Sequence, residues 1–316
     1  MLRLFKWFLG AAAVSMMLTA CGGDDDHTDP TIAQAAQDRG FTALVAAANK
    51  AGLTSALSDT SASLTVFAPT NDAFTKLATQ LGFASADAMV TALPAPTLAS
   101  ILQYHVLASK KDAAALTAGG TSQATLYKLN GNTVSLTLNF TGGVNIQDAA
   151  LTTAKVTTAD VPASNGVIHV VDKVLVPPGL LNIVQMAQVN PTFSTLVSAV
   201  VSANLQGTLS GAGPFTVFAP TNDAFAAIAS TVSSLTTQQL TNVLTYHVLP
   251  SQVLAANIPF GTPVTTVLGQ TITLNAGTPP TITDSTATAA KIVATDVLAS
   301  NGVIHVVDKV LIPNPL

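Results

Sequence analysis

Apolar residues follow two different periods along the chain. Within residues 32–57 they recur every three to four positions, interrupted near Gly40 and Gly52, which predicts short helices. Residues 64–68 form a short apolar run before a proline and predict a buried strand. Thr70 then stands where a helix N-cap is expected. A later helical face is predicted from Leu98, Ile101, Leu102 and His105.

The following segment has the alternation of extended chain. Residues 125–129 and 133–138 flank Asn130-Gly131, a dipeptide typical of a tight β-hairpin turn. Residues 167–176 are apolar on both faces, so we expect them to form a strand inside a sheet rather than at its edge. This segment is therefore predicted to be a set of short strands that follow the helices.

Most of this pattern occurs twice. Residues 65–74 recur unchanged as residues 216–225, and residues 163–177 recur as residues 299–313 with a single substitution. A Tyr-His pair lies between these motifs in both copies. A long internal repeat fixes the unit of folding.

The repeat divides the chain into two predicted domains, residues 31–177 and 179–313. The second copy is shorter, which indicates loops of different length. Only Pro178 and Gly179 separate the copies, and a joint this short predicts domains in contact with each other.

Composition narrows the class of protein. Of 316 residues, 48% are apolar but only 9% are charged, against about 25% in a typical soluble protein. The 12 basic residues face 16 acidic ones, and a nucleic-acid partner would need clustered positive charge. We therefore expect no nucleic-acid binding. The single cysteine, Cys21, excludes an internal disulfide framework.

The N-terminus resembles an export signal. Arg3 and Lys6 precede an uncharged run that ends in Leu18-Thr19-Ala20-Cys21, and the run is shorter than the roughly 20 residues that a membrane-spanning helix needs. We interpret residues 1–20 as a lipoprotein signal peptide. The residues around Cys21 look like a bacterial lipobox, which would place a lipid on that cysteine. An ordinary secretory peptide, with Cys21 unmodified, is the alternative.

Residues 21–30 are rich in aspartate and are expected to form an acidic, solvated tether. The predicted location is the cell envelope, with the membrane reached through the lipid on Cys21. Because Gly22 follows the cysteine where many inner-membrane lipoproteins have aspartate, an outer-membrane position is expected in a Gram-negative host.

The motifs Thr-Val-Phe-Ala-Pro-Thr-Asn-Asp-Ala-Phe and Asn-Gly-Val-Ile-His-Val-Val-Asp-Lys-Val-Leu, with Tyr-His between them, resemble those of the fasciclin (FAS1) domain family. The resemblance occurs twice and covers nearly the whole chain after the tether. It implies an α+β fold, a β-wedge of two sheets with packed helices. It also implies non-catalytic adhesion or matrix binding at the cell surface. Some fasciclin-family proteins bind carotenoids, so a carrier of an apolar small molecule such as a carotenoid or lipid is the alternative.

The Tyr-His pairs are the candidate interaction motif. In animal members of the family this motif is associated with integrin binding, so the resemblance implies a partner contact at Tyr104, His105, Tyr246 and His247. Their apolar neighbours favour a scaffold role instead. On that interpretation each imidazole is hydrogen-bonded inside its own domain, and the partner we predict is Asp72 or Asp223, at the start of a helix.

Two further histidines and several charges are also repeated. His169 and His305 lie in the most β-like segment and are predicted to be hydrogen-bonded core residues. The repeated charges are expected to have fixed partners because the protein has so few charges. They include Asp72 with Asp223, Asp148 with Asp284, Lys155 with Lys291, Asp160 with Asp296, Asp172 with Asp308 and Lys173 with Lys309.

Enzyme chemistry is disfavoured by the sequence. The chain has no Gly-x-Ser-x-Gly elbow, no His-Glu-x-x-His pattern and no glutamate, which weakens hydrolase, zinc and glycosidase interpretations in turn. No Gly-rich phosphate loop precedes a helix. We therefore expect no catalytic residue, no metal site and no cofactor, and a surface, matrix or protein partner that the sequence does not identify.

Overall fold

A computed structural model describes residues 29–315. The proposed signal peptide, Cys21 and most of the tether lie outside the described residues. The first domain begins with three helices, a strand and three more helices: α1 (Ile32–Asp38), α2 (Thr42–Lys50), α3 (Thr54–Ser58), β1 (Leu64–Pro69), α4 (Asn71–Gln80), α5 (Ala86–Ala92) and α6 (Ala95–Tyr104). It continues with β2 (Val106–Leu107), α7 (Ala113–Ala118), β3 (Ser122–Leu129), β4 (Asn132–Asn139), β5 (Asn145–Gln147), β6 (Thr153–Ala163) and β7 (Gly166–Val171).

The second domain repeats this order with shorter elements. Its helical part consists of α8 (Ile183–Val189), α9 (Ser194–Ser202), α10 (Gln206–Ser210), β8 (Phe215–Pro220), α11 (Asn222–Ala226), α12 (Ala229–Ser234) and α13 (Thr237–Tyr246). Its sheet part consists of β9 (Val248–Leu249), β10 (Pro263–Thr265), β11 (Thr271–Asn275), β12 (Thr281–Thr283), β13 (Ala290–Ala299) and β14 (Gly302–Val307).

Each domain forms one seven-stranded sheet within the described residues. The strand order is β2-β1-β7-β6-β5-β4-β3 in the first domain, and the second domain has the matching order. β6 joins the two arms of the sheet, because its first residues pair with β5 and its remainder with β7. The edge strands β2 and β3 contact each other, so the sheet is nearly closed. The predicted α+β fold is confirmed, and the two sheets of the predicted wedge are the two arms of this one seven-stranded sheet.

Local sequence explains the principal turns and caps. Thr70 caps α4 by accepting a hydrogen bond from the Ala73 amide at 3.2 Å, as predicted. Asn130 and Gly131 have φ values of 53° and 83°, the left-handed conformation that a tight hairpin turn between β3 and β4 requires. β7 lies between β1 and β6 with both faces buried, as expected for an interior strand.

The last strand is shorter than predicted. The apolar run 167–176 forms a strand only as far as Val171. Beyond it the chain leaves the sheet, because the amides of Leu175 and Val176 donate to the His105 imidazole and the Asp148 carboxylate instead of to a neighbouring strand. Apolar content alone does not distinguish a buried strand from a buried loop whose amides are bonded by side chains.

The two domains pack directly against each other. A small core fills each curled sheet, whereas a single larger cluster of buried apolar residues runs from the helices of one domain into those of the other. The joint is held by two hydrogen bonds, from the Tyr127 hydroxyl to the Pro178 carbonyl at 3.0 Å and from the Gly179 amide to the Leu298 carbonyl at 2.9 Å. A third hydrogen bond between the domains, at 2.8 Å, runs from the side-chain amide of the buried Asn190 to the Ala150 carbonyl.

Candidate functional site

The two Tyr-His pairs lie inside their domains. Each of the four side chains is at most 2% exposed. Tyr104 belongs to the core inside the first sheet, where its ring meets that of Tyr127 edge to face at 5.9 Å. The Tyr246 hydroxyl donates to the Thr271 carbonyl at 3.0 Å. In this structure neither pair is on a surface that a partner could contact.

His105 ends α6 and bonds to backbone groups on both sides of its ring. Its Nδ1 lies 2.7 Å from the Ile101 carbonyl, to which it donates, and its Nε2 accepts from the Leu175 amide at 2.9 Å. The imidazole is therefore neutral, with the proton on Nδ1. Burial lowers the pKa of His105 to about 4, because no counter-ion offsets the loss of solvation.

His247 repeats the arrangement in the second domain. Its Nδ1 donates to the Val243 carbonyl at 2.7 Å and its Nε2 accepts from the Leu311 amide at 2.8 Å. Burial likewise lowers the pKa of His247 to about 4. Both histidines connect the end of a helix to the loop after the last strand of the same domain.

The predicted pairing of His105 with Asp72, and of His247 with Asp223, is wrong. Both aspartates are exposed, and neither carboxylate has a hydrogen-bond partner among the described residues. The neighbouring asparagine instead links the helices. Asn71 Oδ1 accepts from the Ala43 amide at 3.0 Å and its Nδ2 donates to the Gly40 carbonyl at 2.8 Å.

His169 and His305 are buried and hydrogen-bonded, as predicted. The His169 Nε2 donates to the Lys111 carbonyl at 2.9 Å, and its Nδ1 accepts from the Asp160 amide at 3.3 Å. Its ring stacks on Phe67 in the adjacent strand with centroids 5.6 Å apart. His305 makes the matching contacts, and burial lowers its pKa.

Apart from the exposed Asp72 and Asp223, the repeated aspartates have fixed partners, as expected from their repetition. Asp148 is buried and accepts from the amides of Ala150, Thr152 and Val176. Burial raises its pKa even though the Lys173 ammonium opposes the shift. The other members also bind amides of their own domain: Asp172 to Lys155, Asp308 to Lys291, Asp160 to Ala113 and Asp296 to Ala255. Of the repeated lysines, Lys173 and Lys309 bond through their ammonium groups, whereas within the described residues Lys155 and Lys291 bond to aspartate only through their backbone amides.

Asp284 differs from its counterpart Asp148 in its charge environment. Its carboxylate forms an ion pair with the Lys309 ammonium at 2.9 Å. Burial alone would raise its pKa, but the bonds from Thr286, Ile312 and Lys309 outweigh burial and lower the pKa. The same loop thus pairs its aspartate directly with lysine in the second domain, whereas in the first domain the equivalent Lys173 bonds to Thr152.

Asn165 and Gly166, which open the second repeated motif, fix the start of β7. Asn165 accepts from the Ile32 amide at 2.9 Å and donates to the carbonyls of Leu57 and Asp59. A Cβ atom on Gly166 would lie 2.1 Å from the Leu64 carbonyl oxygen of β1. The repetition of Asn-Gly before the strand is the signal that could have revealed this role.

The first domain also has an apolar opening between its helices and its sheet. We call it the domain 1 groove: a cavity of about 230 Å³ between α1, α2, α3, β1 and α6, with Leu126 of β3 also lining it. Leu126 is 40% exposed, so apolar surface continues from the groove to solvent.

Residues 29–315 contain no cluster of three or more His, Cys, Asp or Glu side chains with metal-site geometry. None of the helices in this part of the chain has both the length and the apolar character needed to cross a bilayer. The arrangement as described is a pair of α+β domains whose repeated polar motifs mostly hold the interior together.

Comparison with known proteins agrees with this description. A sequence model of the fasciclin domain matches residues 39–177 and 191–313. The protein therefore belongs to the fasciclin domain family, with two copies of the domain in tandem.

Protein sll1483 of Synechocystis is 46% identical over 138 residues, which are 42% of this chain and 74% of that protein. The transforming growth factor-beta-induced protein ig-h3 of Sus scrofa is 32% identical over 80% of this chain, and the match spans 35% of that protein. A FAS1 domain pair from the insect cell adhesion molecule fasciclin I aligns over 88% of this chain and 94% of that one, with 16% identity and a TM-score of 0.43.

Proposed function

We propose that this protein is a lipid-anchored component of the cell envelope, whose tandem fasciclin domains act in cell adhesion or in contacts with the surrounding matrix, without catalysis. The observation that carries the proposal is the set of hydrogen bonds made by the repeated polar residues. Most of them bind backbone groups of their own domain, which leaves the outer surface for partner contacts.

Two further observations support the proposal. Fasciclin domains occur in cell-adhesion and surface-associated proteins. The sequence ending at Cys21 has the form of a lipobox, and an acidic tether separates it from the first helix. Envelope attachment, with an outer-membrane position in a Gram-negative host, follows from the anchor.

Anchoring is tested by replacing the cysteine in cells that export the full-length protein. Fatty-acid labelling and membrane fractionation are compared for the wild type and Cys21→Ser. We expect the substitution to abolish labelling and to release the protein into the soluble fraction. Unchanged labelling would refute the lipid anchor.

Adhesion is tested separately with purified protein. One surface is coated with the full chain and a control surface with an unrelated acidic protein. Attachment of the host cells and capture of envelope and extracellular material are measured on both surfaces. Attachment no greater than that of the unrelated coat would refute the adhesion function while leaving the anchor unaffected.

A carrier of an apolar small molecule is the second candidate, and the domain 1 groove favours it. Pockets of this kind, mostly apolar with a few polar groups, are typical small-molecule sites. Purified protein that is coloured, or that yields a lipid on extraction with organic solvent, is expected from a carrier. Protein that yields neither would refute it.

A further inference from the structure

We propose that the domain 1 groove binds the aliphatic chain of a neutral lipid, such as an acyl ester or a long-chain alcohol, and that the matching position of the second domain is closed. The inference gives a ligand class to the carrier function proposed above and rests on it. It does not depend on adhesion.

The lining of the groove sets the class of ligand. Among the described residues that line it, none is charged and none is aromatic. The cavity of about 230 Å³ exceeds the cavity of about 150 Å³ that takes up benzene in an engineered apolar core. An aliphatic surface of this size can exclude water from a hydrocarbon chain, but it offers no ring for stacking.

The polar side chains at the groove point to an uncharged head group. Gln37 and Gln103 both line it, and neither side-chain amide is hydrogen-bonded to any described residue. A free amide can donate to an ester carbonyl or exchange hydrogen bonds with a hydroxyl. A carboxylate would gain no ion pair there, because the described lining supplies no lysine or arginine.

The second domain shows how the same fold closes the groove. Equivalent positions are fixed by matched bonds, since Asn165 binds the Ile32 amide and Asn301 binds that of Ile183. In this alignment Val184 of the second domain is equivalent to Ala33 of the first domain. The larger side chain occupies space that is open in the first domain.

A second difference between the domains, at Ala48 and Val200, also narrows the groove in the second domain. Asn71 binds the Ala43 amide and Asn222 binds that of Thr195, which aligns Ala48 with Val200. The cavity at this position of the second domain is only about 30 Å³. In each valine two methyl groups replace two hydrogens of the alanine methyl group, and these groups narrow the groove in the second domain.

The position of the groove fits a lipid as its ligand. Ile32, which lines the groove, is eleven residues after the proposed anchor Cys21. Eleven extended residues span at most about 40 Å. The anchored domain would therefore stay within that distance of a bilayer, where acyl esters are abundant.

Binding is measured with the neutral fluorescent probe N-phenyl-1-naphthylamine, added to full-length exported protein carrying Cys21→Ser. We expect saturable fluorescence with one site per chain. Monodecanoylglycerol should displace the probe, whereas decanoate at the same concentration should displace it at least tenfold less well. Equal displacement by decanoate would refute the neutral head group, and the absence of saturable binding would refute the site.

Two matched variants localise the site. Ala48→Val introduces the side chain that the second domain has at this position and should weaken probe binding at least tenfold. The double variant Val184→Ala, Val200→Ala makes the reverse change at both positions and should raise the capacity from one site to two. Thermal melting establishes that each variant is folded.

The outcomes of these variants separate the possibilities. Wild-type affinity in folded Ala48→Val would overturn the proposal. If Ala48→Val does not fold, unchanged capacity in the folded double variant Val184→Ala, Val200→Ala overturns it. Loss of probe binding with cell attachment retained would remove the carrier function alone.

Discussion

The assignment of the Tyr-His motif to the interior predicts a large loss of stability on truncation of His105. In His105→Ala, the buried Leu175 amide loses its acceptor and the Ile101 carbonyl loses its donor. An unsatisfied buried amide costs about 1–3 kcal/mol, and the cavity left by the ring adds a further amount that depends on how far the core relaxes. We expect the free energy of unfolding to fall by about 3–5 kcal/mol.

The matched perturbation is Asp72→Ala. Asp72 is exposed in the first turn of α4 and contributes only its favourable interaction with the helix dipole. That interaction is worth about 0.3–1 kcal/mol. Because the two side chains do not touch, the double variant should lose the sum of the single losses within about 0.5 kcal/mol.

The assay is urea unfolding of the full chain carrying Cys21→Ser, followed by far-ultraviolet circular dichroism and carried out for the wild type, both single variants and the double variant. A His105→Ala midpoint close to that of the wild type would refute the buried hydrogen bonds. A loss well above 1 kcal/mol in Asp72→Ala, with a double variant no worse than His105→Ala, would show that the two residues do interact.

Three other predictions follow from the same geometry. Since the pKa values of His105 and His247 fall to about 4 in the folded protein, from about 6.5 when unfolded, the unfolded state binds more protons between these values. Ionisation of these histidines should therefore leave the urea midpoint unchanged above about pH 6.5, and the midpoint should fall as the pH drops towards 4. A midpoint that stays the same between these pH values would contradict burial of the neutral rings. Gly166→Ala should cost about 1–3 kcal/mol, because its Cβ would meet the Leu64 carbonyl, whereas Gly207→Ala, with open space around it, should be neutral or slightly stabilising in the same unfolding assay. Asn190→Ala removes a buried hydrogen bond between the domains and should separate their melting transitions in calorimetry; a single unchanged transition would contradict this.

The parts of the fold that were predictable are those in which a local pattern has a single physical solution. The hairpin at Asn130-Gly131 was predictable because few other residues adopt its left-handed turn. The cap at Thr70 and the helical face ending at His105 are similarly local. The internal repeat helped further, since each pattern was observed twice.

The errors concern contacts between distant parts of the chain. His105 bonds to the backbone of Leu175, 70 residues later, and a backbone amide leaves no trace in side-chain identity. Asp72 was wrongly predicted to be the partner of His105, because a negative charge in the first turn of a helix is favourable whether it is buried or exposed. Asn71, its neighbour in the same repeated motif, was missed although it links α2 to α4.

The interior role of the repeated motifs changes how the tandem arrangement can work. Two identical binding sites on one chain would gain avidity for a repeated partner, but the residues that are identical in the two domains are largely the buried ones. The outer surfaces differ. Beyond Gly179 the sequence contains only two lysines, no arginine and four aspartates, so most of the charged residues belong to the first domain and its N-terminal segment.

The groove differs in the same way, with a cavity of about 230 Å³ in the first domain and of about 30 Å³ in the second. Because direct contacts join the domains at Pro178 and Gly179, the pair presents two unlike surfaces in a fixed relation. Contacts with two different partners, or with one partner at two different places, suit this arrangement better than repeated binding of one motif. A search for the partner of the proposed adhesion function should therefore treat the two surfaces separately.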